Sequence, residues 1–248
     1  MRYLIISDIH SNIEALDACI QRAKLAGYDT VLSCGDIVGY GPNPMEAIDV
    51  IKSLDAVTIR GNHDRVASGL DEPTHFNPYA KRAIYWTRAV LPESYREYLK
   101  GLPVGPLSIT PEAQMVHGAI TDEDDYIFTE ADAGENFRLT EKNLTFFGHS
   151  HFPVVFLSDE TGNATFARSY EFDEFIAVNC DSHAKLFINA GSVGQPRDGD
   201  PRASFAIWDQ GRARMEFYRV EYDIELTQKK MREARLPLHL VQRLAHGR

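Results

Sequence analysis

The sequence of 248 residues predicts an α/β protein built on a sheet that helices cover. Two observations predict this class. Strand-like and helix-like segments alternate through the first sixty residues, and strand-like segments dominate residues 104–220. Such alternation is typical of a sheet with right-handed crossover connections. For the strand-rich second half we predict antiparallel pairing, with Gly162 and Asn163 at the tip of a hairpin.

Three strands and two helices are predicted in the first sixty residues. The first helix begins at Ser11, which forms a capping box with Glu14, and ends at Gly27. The second helix begins at Asn43, with Pro44 at its first position. The strands are apolar runs at Tyr3–Ser7, Thr30–Cys34 and Ala56–Arg60.

A helical insertion is predicted around residues 64–101, with a break near Pro92. A terminal helix is predicted around residues 223–234. Because no long stretch of Pro, Gly or Ser separates these segments, we predict one domain over residues 1–248. The strand-like runs are Val104–Ile109, Gln114–His117, Leu144–Phe147, Val154–Leu157, Ala164–Ala167, Leu186–Asn189, Ser204–Trp208 and Ala213–Val220.

The net charge of −10 argues against a nucleic-acid partner, because binding a phosphate backbone needs clustered Lys and Arg. Cys19, Cys34 and Cys180 are too few and too scattered for a disulfide framework. No apolar stretch approaches the ~18 residues of a membrane span. We therefore expect a cytoplasmic protein with no membrane partner, and we leave an oligomer open.

Polar side chains follow five of the predicted strands, at the point where each strand ends. In open α/β sheets, ligands bind beyond these carboxyl ends. Carboxylate, imidazole and amide oxygen are ligands of borderline divalent metals, and this supply exceeds what one tetrahedral zinc needs. It fits two ions that activate a water for attack at phosphorus. The five blocks are Asp8-Ile9-His10, Gly35-Asp36, Gly61-Asn62-His63-Asp64, His117-Gly118 and Gly148-His149-Ser150-His151.

These five blocks occur in the same order in the calcineurin-like metallophosphoesterase superfamily, which the sequence resembles from residue 3 to about residue 208. Within it, the chain resembles small bacterial members related to diadenosine tetraphosphatases and phosphodiesterases. The resemblance implies a four-layer α-β-β-α sandwich with mixed sheets. In the serine/threonine phosphatase branch an Arg follows the Asp of the second block. Ile37 stands there in this chain, which departs from that branch.

The resemblance also implies a role for each block. His63 would contact the substrate or its leaving group, as a general acid or a phosphate binder, and would not be a ligand. The implied cofactor is a pair of divalent ions (Mn, Fe, Zn or Ni), with Mn favoured for activity. Asp8, His10 and His151 would bind one ion, Asn62, His117 and His149 would bind the other, and Asp36 would bridge both.

Two late arginines, Arg197 and Arg202, are candidate phosphate contacts. Arg197 ends a segment rich in Gly and Ser, which suits a tight turn near an anion, and Arg202 follows it closely. A guanidinium group pairs with phosphate through two parallel hydrogen bonds.

The predicted function is hydrolysis of a phosphate ester by a metal-activated water, with a small phosphate ester or nucleotide as substrate. Alternatives within the superfamily are a dinucleoside polyphosphate hydrolase, a protein phosphatase and a nuclease. The negative charge counts against the nuclease. A non-catalytic scaffold of the same fold is a further alternative, and the presence of His63 counts against it.

Other polar and aromatic residues have simpler interpretations. Trp86 is interpreted as part of a helix core. The acidic run Asp122–Asp125 is interpreted as a solvated loop, close enough to His117 in sequence to shape the entrance of the site. Four histidines match no block and are interpreted as surface or structural residues: His75, His183, His239 and His246.

Overall fold

A computed structural model of the chain describes residues 1–158, 164–169, 175–179 and 185–248. Several predictions made from the sequence therefore lie outside the described residues: the hairpin tip at Gly162 and Asn163, and the interpretations of Cys180 and His183. Among the described helices, none combines the length and apolar character that crossing a membrane requires.

Twelve strands and eight α-helices are described over these ranges. The strands are β1 (Arg2–Ile6), β2 (Thr30–Ser33), β3 (Val57–Thr58), β4 (Leu107–Ser108), β5 (Ala113–Met115), β6 (Leu144–Phe147), β7 (Pro153–Ser158), β8 (Ala164–Ser169), β9 (Phe175–Asn179), β10 (Leu186–Ala190), β11 (Ala203–Asp209) and β12 (Arg214–Val220). The helices are α1 (Ile13–Ala26), α2 (Pro44–Ser53), α3 (Asn62–Ser68), α4 (Pro78–Val90), α5 (Glu93–Lys100), α6 (Glu130–Phe137), α7 (Ile224–Glu233) and α8 (Leu238–Arg243).

The strands form two mixed sheets. The first sheet has the order β3-β2-β1-β11-β12-β9, and its parallel part is β1, β2 and β3. The second has the order β4-β5-β6-β10-β7-β8. The prediction of antiparallel pairing in the second half is wrong for β6, which runs parallel to both β5 and β10. A parallel pair needs a long crossover, and the segment between β5 and β6 provides one that contains α6.

Three separate cores show that the sheets are layered between helices. On β1, Leu4 and Ile6 face the core that contains residues of α1 and α2, whereas Tyr3 and Ile5 face the second sheet. This alternation follows from the two-residue period of a strand. A third core holds Phe137 of α6 against the outer face of the second sheet. The predicted four-layer α-β-β-α sandwich is confirmed.

Local details differ from the sequence prediction at several elements, and α8 was not predicted. The first helix is capped by Asn12, whose side chain accepts a hydrogen bond from the backbone N–H of Ala15 (3.2 Å), and not by Ser11. Helix α6 and strand β9 were not predicted. The capping box of α6 consists of Thr129 and Asp132, and the helix that follows contains a glycine, which weakens its helical signal.

Candidate metal centre

The five sequence blocks meet where β1, β2, β3, β5 and β6 end. Backbone hydrogen bonds hold the loops against one another. The N–H of Asp8 donates to the carbonyl of Gly35 (3.1 Å), and the N–H of Gly148 donates to the carbonyl of His117 (2.8 Å). The seven predicted metal ligands are at most 6% exposed and lie together: Asp8, His10, Asp36, Asn62, His117, His149 and His151.

Most of these ligands have a backbone conformation that few residues adopt. A positive φ is uncommon outside glycine, although Asp and His tolerate it better than most residues. Such conformations persist only where the surrounding structure enforces them, and they cluster at functional sites. The φ values are 53° at Asp8, 49° at His10, 54° at Asp36, 64° at His149 and 63° at His151.

Asp8, His10 and His151 form the first ligand group, with ligating atoms within 4.8 Å of one another. The Nε2 atom of His151 lies 3.3 Å from Oδ1 of Asp8 and 3.1 Å from Nε2 of His10. The backbone N–H of His149 donates to both carboxylate oxygens of Asp8 at 3.1 Å. The carboxylate is thereby fixed in orientation, as a metal ligand requires.

Asp36, His117 and His149 form the second group, again within 4.8 Å. Asn62 joins it, because its Oδ1 lies 3.3 Å from Nε2 of His117. Oδ2 of Asp36 is 3.4 Å from Nε2 of His117 and 3.6 Å from Nε2 of His10 in the first group. The carboxylate of Asp36 therefore lies between the two groups.

Each of the four imidazoles turns one ring nitrogen toward a backbone carbonyl. A carbonyl only accepts hydrogen bonds, so in the neutral form of each ring this nitrogen carries the proton and the other keeps its lone pair for a metal. The donor set therefore fits two divalent ions. The contacts are His10 Nδ1 to Val38 O (3.1 Å), His117 Nδ1 to Cys34 O (2.7 Å), His149 Nε2 to Asp124 O (3.1 Å) and His151 Nδ1 to Gln195 O (2.5 Å).

The electrostatics of the site also favour a cation. Burial lowers the pKa of His149 to about 3 and raises the pKa of Asp8 to about 7, with the charge of Asp36 contributing to the rise. Burial also opposes ionisation of Asp36 and of His117, but their opposite charges outweigh it. The pKa of Asp36 lies well below its usual range, and that of His117 is raised to about 10. Two buried carboxylates therefore need positive charge, which divalent cations supply.

His63 lies beside both groups, in the first turn of α3. Its backbone N–H donates to Oδ1 of Asp36 (2.9 Å), and its ring packs against Tyr40 and Phe76 at centroid distances of 4.4 and 4.6 Å. Among the described residues, its Nδ1 has no hydrogen-bond partner. Burial lowers its pKa to about 4. The ring is therefore neutral near pH 7.

A cavity of about 540 Å³ opens over the ligands and includes His63 and Arg197 in its wall. One terminal nitrogen of Arg197 donates to Oε1 of Gln195 (3.2 Å) and to the hydroxyl of Tyr40 (3.4 Å). Arg197 forms no ion pair with a carboxylate in the described part of the chain. Arg202 instead pairs with Asp200 (2.6 Å) and does not line this cavity.

Sequence reasoning missed the aromatic residues of the cavity. Tyr40, Phe76 and Tyr126 line it, and the ring of Tyr126 stacks on His149 at a centroid distance of 3.9 Å. The sequence signals were weak: Tyr40 stands between two glycines in the loop after β2, and Tyr126 follows the acidic run. His75, interpreted as a surface residue, is exposed and also lines the cavity.

The acidic run is not a uniformly solvated loop. Glu123 is buried and bonds to Arg60 (3.0 Å) and to Arg65. Asp124 bonds to Arg65 through its side chain (2.6 Å) and to His149 through its carbonyl. The simpler interpretation is therefore wrong for Glu123, whereas the predicted role of the run at the cavity entrance is consistent with its place in the wall.

Comparison with known proteins agrees with this architecture. The calcineurin-like phosphoesterase superfamily domain matches residues 1–212. A metallophosphoesterase of Sphaerobacter thermophilus has a crystal structure with a TM-score of 0.88 at 40% identity, covering 100% of both chains. The uncharacterised protein MJ0912 of Methanocaldococcus jannaschii is 37% identical, over 98% of this chain and 97% of its own. PH1004 of Pyrococcus horikoshii OT3 shares the fold, with a TM-score of 0.79 at 22% identity over 100% and 98% of the two chains. The chain belongs to the calcineurin-like phosphoesterase superfamily.

Proposed function

We propose that the protein is a dimetal phosphoesterase that hydrolyses a phosphomonoester or a phosphodiester. One observation carries the proposal: the carboxylate of Asp36 lies between two groups of candidate ligands, in a cavity whose wall also contains His63 and Arg197. Membership of the superfamily supports it.

The metal ligands are proposed as two sets. Divalent ions held there would acidify a water molecule and neutralise charge that develops at phosphorus. The imidazole and carboxylate donors suit Mn, Fe, Zn or Ni, and we propose Mn for activity. The first set is Asp8, His10 and His151, the second is Asn62, His117 and His149, and Asp36 belongs to both.

His63 is proposed to act on the leaving group. A neutral imidazole carries one ring proton, which it donates as a hydrogen bond to a phosphate oxygen or to the leaving oxygen. Because burial holds the pKa of His63 near 4, the neutral ring is its main form near pH 7. Because a neutral ring would have to become an imidazolate to give up this proton, His63 would stabilise the leaving oxygen by the hydrogen bond, and solvent water would supply the proton as the ester bond breaks.

Arg197 is proposed to bind the phosphate group of the substrate. Its Nε has no partner among the described residues, and its terminal nitrogens contact neutral side chains, those of Tyr40, Gln195 and Tyr126. A guanidinium without a carboxylate partner keeps its charge available for a bidentate contact with phosphate. The same role for Arg202 stays a prediction, and its pairing with Asp200 counts against it.

The test is hydrolysis of 4-nitrophenyl phosphate and its bis ester by protein loaded with Mn. We expect His63→Ala to lower kcat by roughly 10²–10³-fold, the usual cost of removing one hydrogen-bond donor to charge that develops in the transition state, while metal content by atomic emission stays at the wild-type level. Asp36→Asn should lose both metal and activity. Asp17→Asn, on the exposed face of α1, serves as the control.

Two outcomes would count against the proposal. If metal-loaded protein hydrolysed neither these esters nor nucleotide substrates, a phosphoesterase would be excluded. If His63→Ala matched the wild type in every assay while binding metal, the scaffold alternative would be favoured.

A further inference from the structure

One side of the cavity wall is acidic. Asp122, Asp124 and Asp125 all line it. Asp124 is paired with Arg65, whereas Asp122 and Asp125 are exposed and make no ion pair with another described residue. Two carboxylates without a cationic partner therefore stand at the entrance.

Positive charge in the same cavity is sparse. Among the described lining residues, Arg197 is the only Lys or Arg. A second group in the cavity can form a hydrogen bond with a ligand. His63 is 4% exposed, lines the cavity, and has an Nδ1 atom with no hydrogen-bond partner among the described residues. Beside the candidate metal ligands, the guanidinium of Arg197 and the buried imidazole of His63 provide for a single tetrahedral anion, whereas the imidazole of His75 is exposed.

The rest of the wall contains aromatic surface. The rings of Tyr40 and Phe76 both pack against the His63 ring, and the ring of Tyr126 stacks on His149. These rings offer contact to an uncharged or cationic group, since the face of an aromatic ring attracts cations and apolar groups alike. They provide no hydrogen-bond donors for a chain of phosphates beyond the two phenolic hydroxyls.

We propose that the site selects esters of a single phosphate whose alcohol part is uncharged or cationic, and discriminates against polyphosphate chains. This inference rests on the proposed function and narrows its substrate class. A second or third phosphate would extend from the metal centre toward Asp122 and Asp125, where like charges repel. A dinucleoside polyphosphate would meet the same repulsion.

The test compares binding of orthophosphate and tripolyphosphate by isothermal titration calorimetry, with free Mn held in excess so that tripolyphosphate does not strip the site. We expect wild-type protein to bind tripolyphosphate no more tightly than orthophosphate. The double variant Asp122→Asn/Asp125→Asn should gain roughly tenfold in affinity for tripolyphosphate relative to orthophosphate, because two repulsive charges near the chain are removed.

The control is Asp17→Asn/Asp55→Asn, which makes the same change in net charge at exposed positions outside the cavity. It should leave the ratio of the two affinities unchanged. Tighter binding of tripolyphosphate by the wild type, or the same ratio in the entrance variant as in the wild type, would overturn the inference.

A kinetic comparison separates this inference from the proposed function. 4-Nitrophenyl phosphorylcholine and bis(4-nitrophenyl) phosphate release the same chromophore, and ATP and diadenosine tetraphosphate serve as polyanions. We expect kcat/KM to be higher for the first two. If no ester is hydrolysed, the proposed function is wrong. The ratio of the affinities for tripolyphosphate and orthophosphate then still tests whether the site discriminates against polyphosphate chains.

Discussion

At the scale of single residues, Gly39 leaves the space that the His63 ring occupies. Its φ is +98°, and a Cβ atom added there would overlap the His63 ring. Gly69 has a similar φ of +87°, but a Cβ atom there would meet nothing within 4 Å. Both glycines therefore have a positive φ that disfavours other residues, but only Gly39 lies against the ring of His63.

This difference gives a matched pair of variants. Gly39→Ala and Gly69→Ala should each lower the free energy of unfolding by about 1–2 kcal/mol, because an alanine is strained at positive φ. The overlap with His63 adds a further cost at Gly39. Only Gly39→Ala should lower kcat/KM for phosphate esters, since only there must His63 move. Urea unfolding and steady-state kinetics measure the two effects, and equal activity in both variants would contradict the prediction.

Substitutions also distinguish the roles of Arg197 and Arg202. Arg197→Ala should lower kcat/KM by roughly 10–100-fold, the usual value of a charge-assisted hydrogen bond to phosphate. Arg197→Lys should restore only part of it, because Lys lacks the planar fork. Arg202→Ala should have a smaller effect, because this guanidinium is paired with Asp200. A larger loss for Arg202→Ala would reverse the assignment.

At the scale of elements, the loop between β5 and α6 connects α3 to the second ligand group. Glu123 receives hydrogen bonds from Arg60 and from Arg65 of α3. The next residue, Asp124, accepts the ring N–H of His149 with its carbonyl (3.1 Å). The ion pairs of the loop therefore help to set which nitrogen of His149 faces the candidate metal centre.

Glu123→Gln should weaken metal binding by about tenfold, at the low end of what loss of a partner behind a metal ligand costs. Calorimetric titration with Mn and the visible absorption of the Co²⁺-loaded protein measure this, and both report on ligand geometry apart from activity. Glu130→Gln, at an exposed position of α6, is the control. Wild-type affinity and an unchanged Co²⁺ spectrum in Glu123→Gln would show that the ion pairs only stabilise the loop.

Local signals in the sequence were sufficient for many elements but not for all. The run of residues 144–147 is confirmed as strand β6, and Pro92 does separate α4 from α5. In contrast, the parallel pairing of β6 depends on contacts with β10 across a long connection, which no local pattern encodes. Strand periodicity gives the buried face of a strand but not its neighbours.

At the scale of the whole molecule, the candidate centre joins the two sheets. Asp8 and Asp36 follow strands of the first sheet, and His117 and His149 follow strands of the second. Ions bound by both sets would therefore link the two layers and stabilise the folded state over the unfolded one.

Metal removal should accordingly lower the thermal unfolding temperature. Treatment with EDTA should reduce Tm, and Mn at about 100 times its Kd should contribute about 2.7 kcal/mol of stability. Differential scanning fluorimetry measures the shift. In Asp36→Asn the response to Mn should be largely lost, because both ligand groups lose their shared carboxylate. A wild-type Tm that does not respond to metal would contradict the bridging arrangement.

The sequence predicted the candidate ligands better than their surroundings. Each ligand block directly follows a strand, so its position could be inferred from the chain alone. The contacts of His149 with Asp124 and Tyr126 depend on how a loop folds back over the site, and residue type did not indicate them. The assignment of one domain to residues 1–248 stays a prediction.

The contact between the first block and the late glycine-rich loop has a consequence for biosynthesis. The hydroxyl of Ser192 donates to the carbonyl of Asp8 (2.8 Å), although 184 residues separate them, and the N–H of Gly194 donates to the same carbonyl (2.9 Å). At a translation rate of about 5–20 residues per second, Asp8 is added to the chain roughly 10–40 s before that loop is made. The nascent chain therefore carries its first candidate ligands in an unfinished site, and any metal that needs this loop in place would bind only after nearly the whole fold has been synthesised.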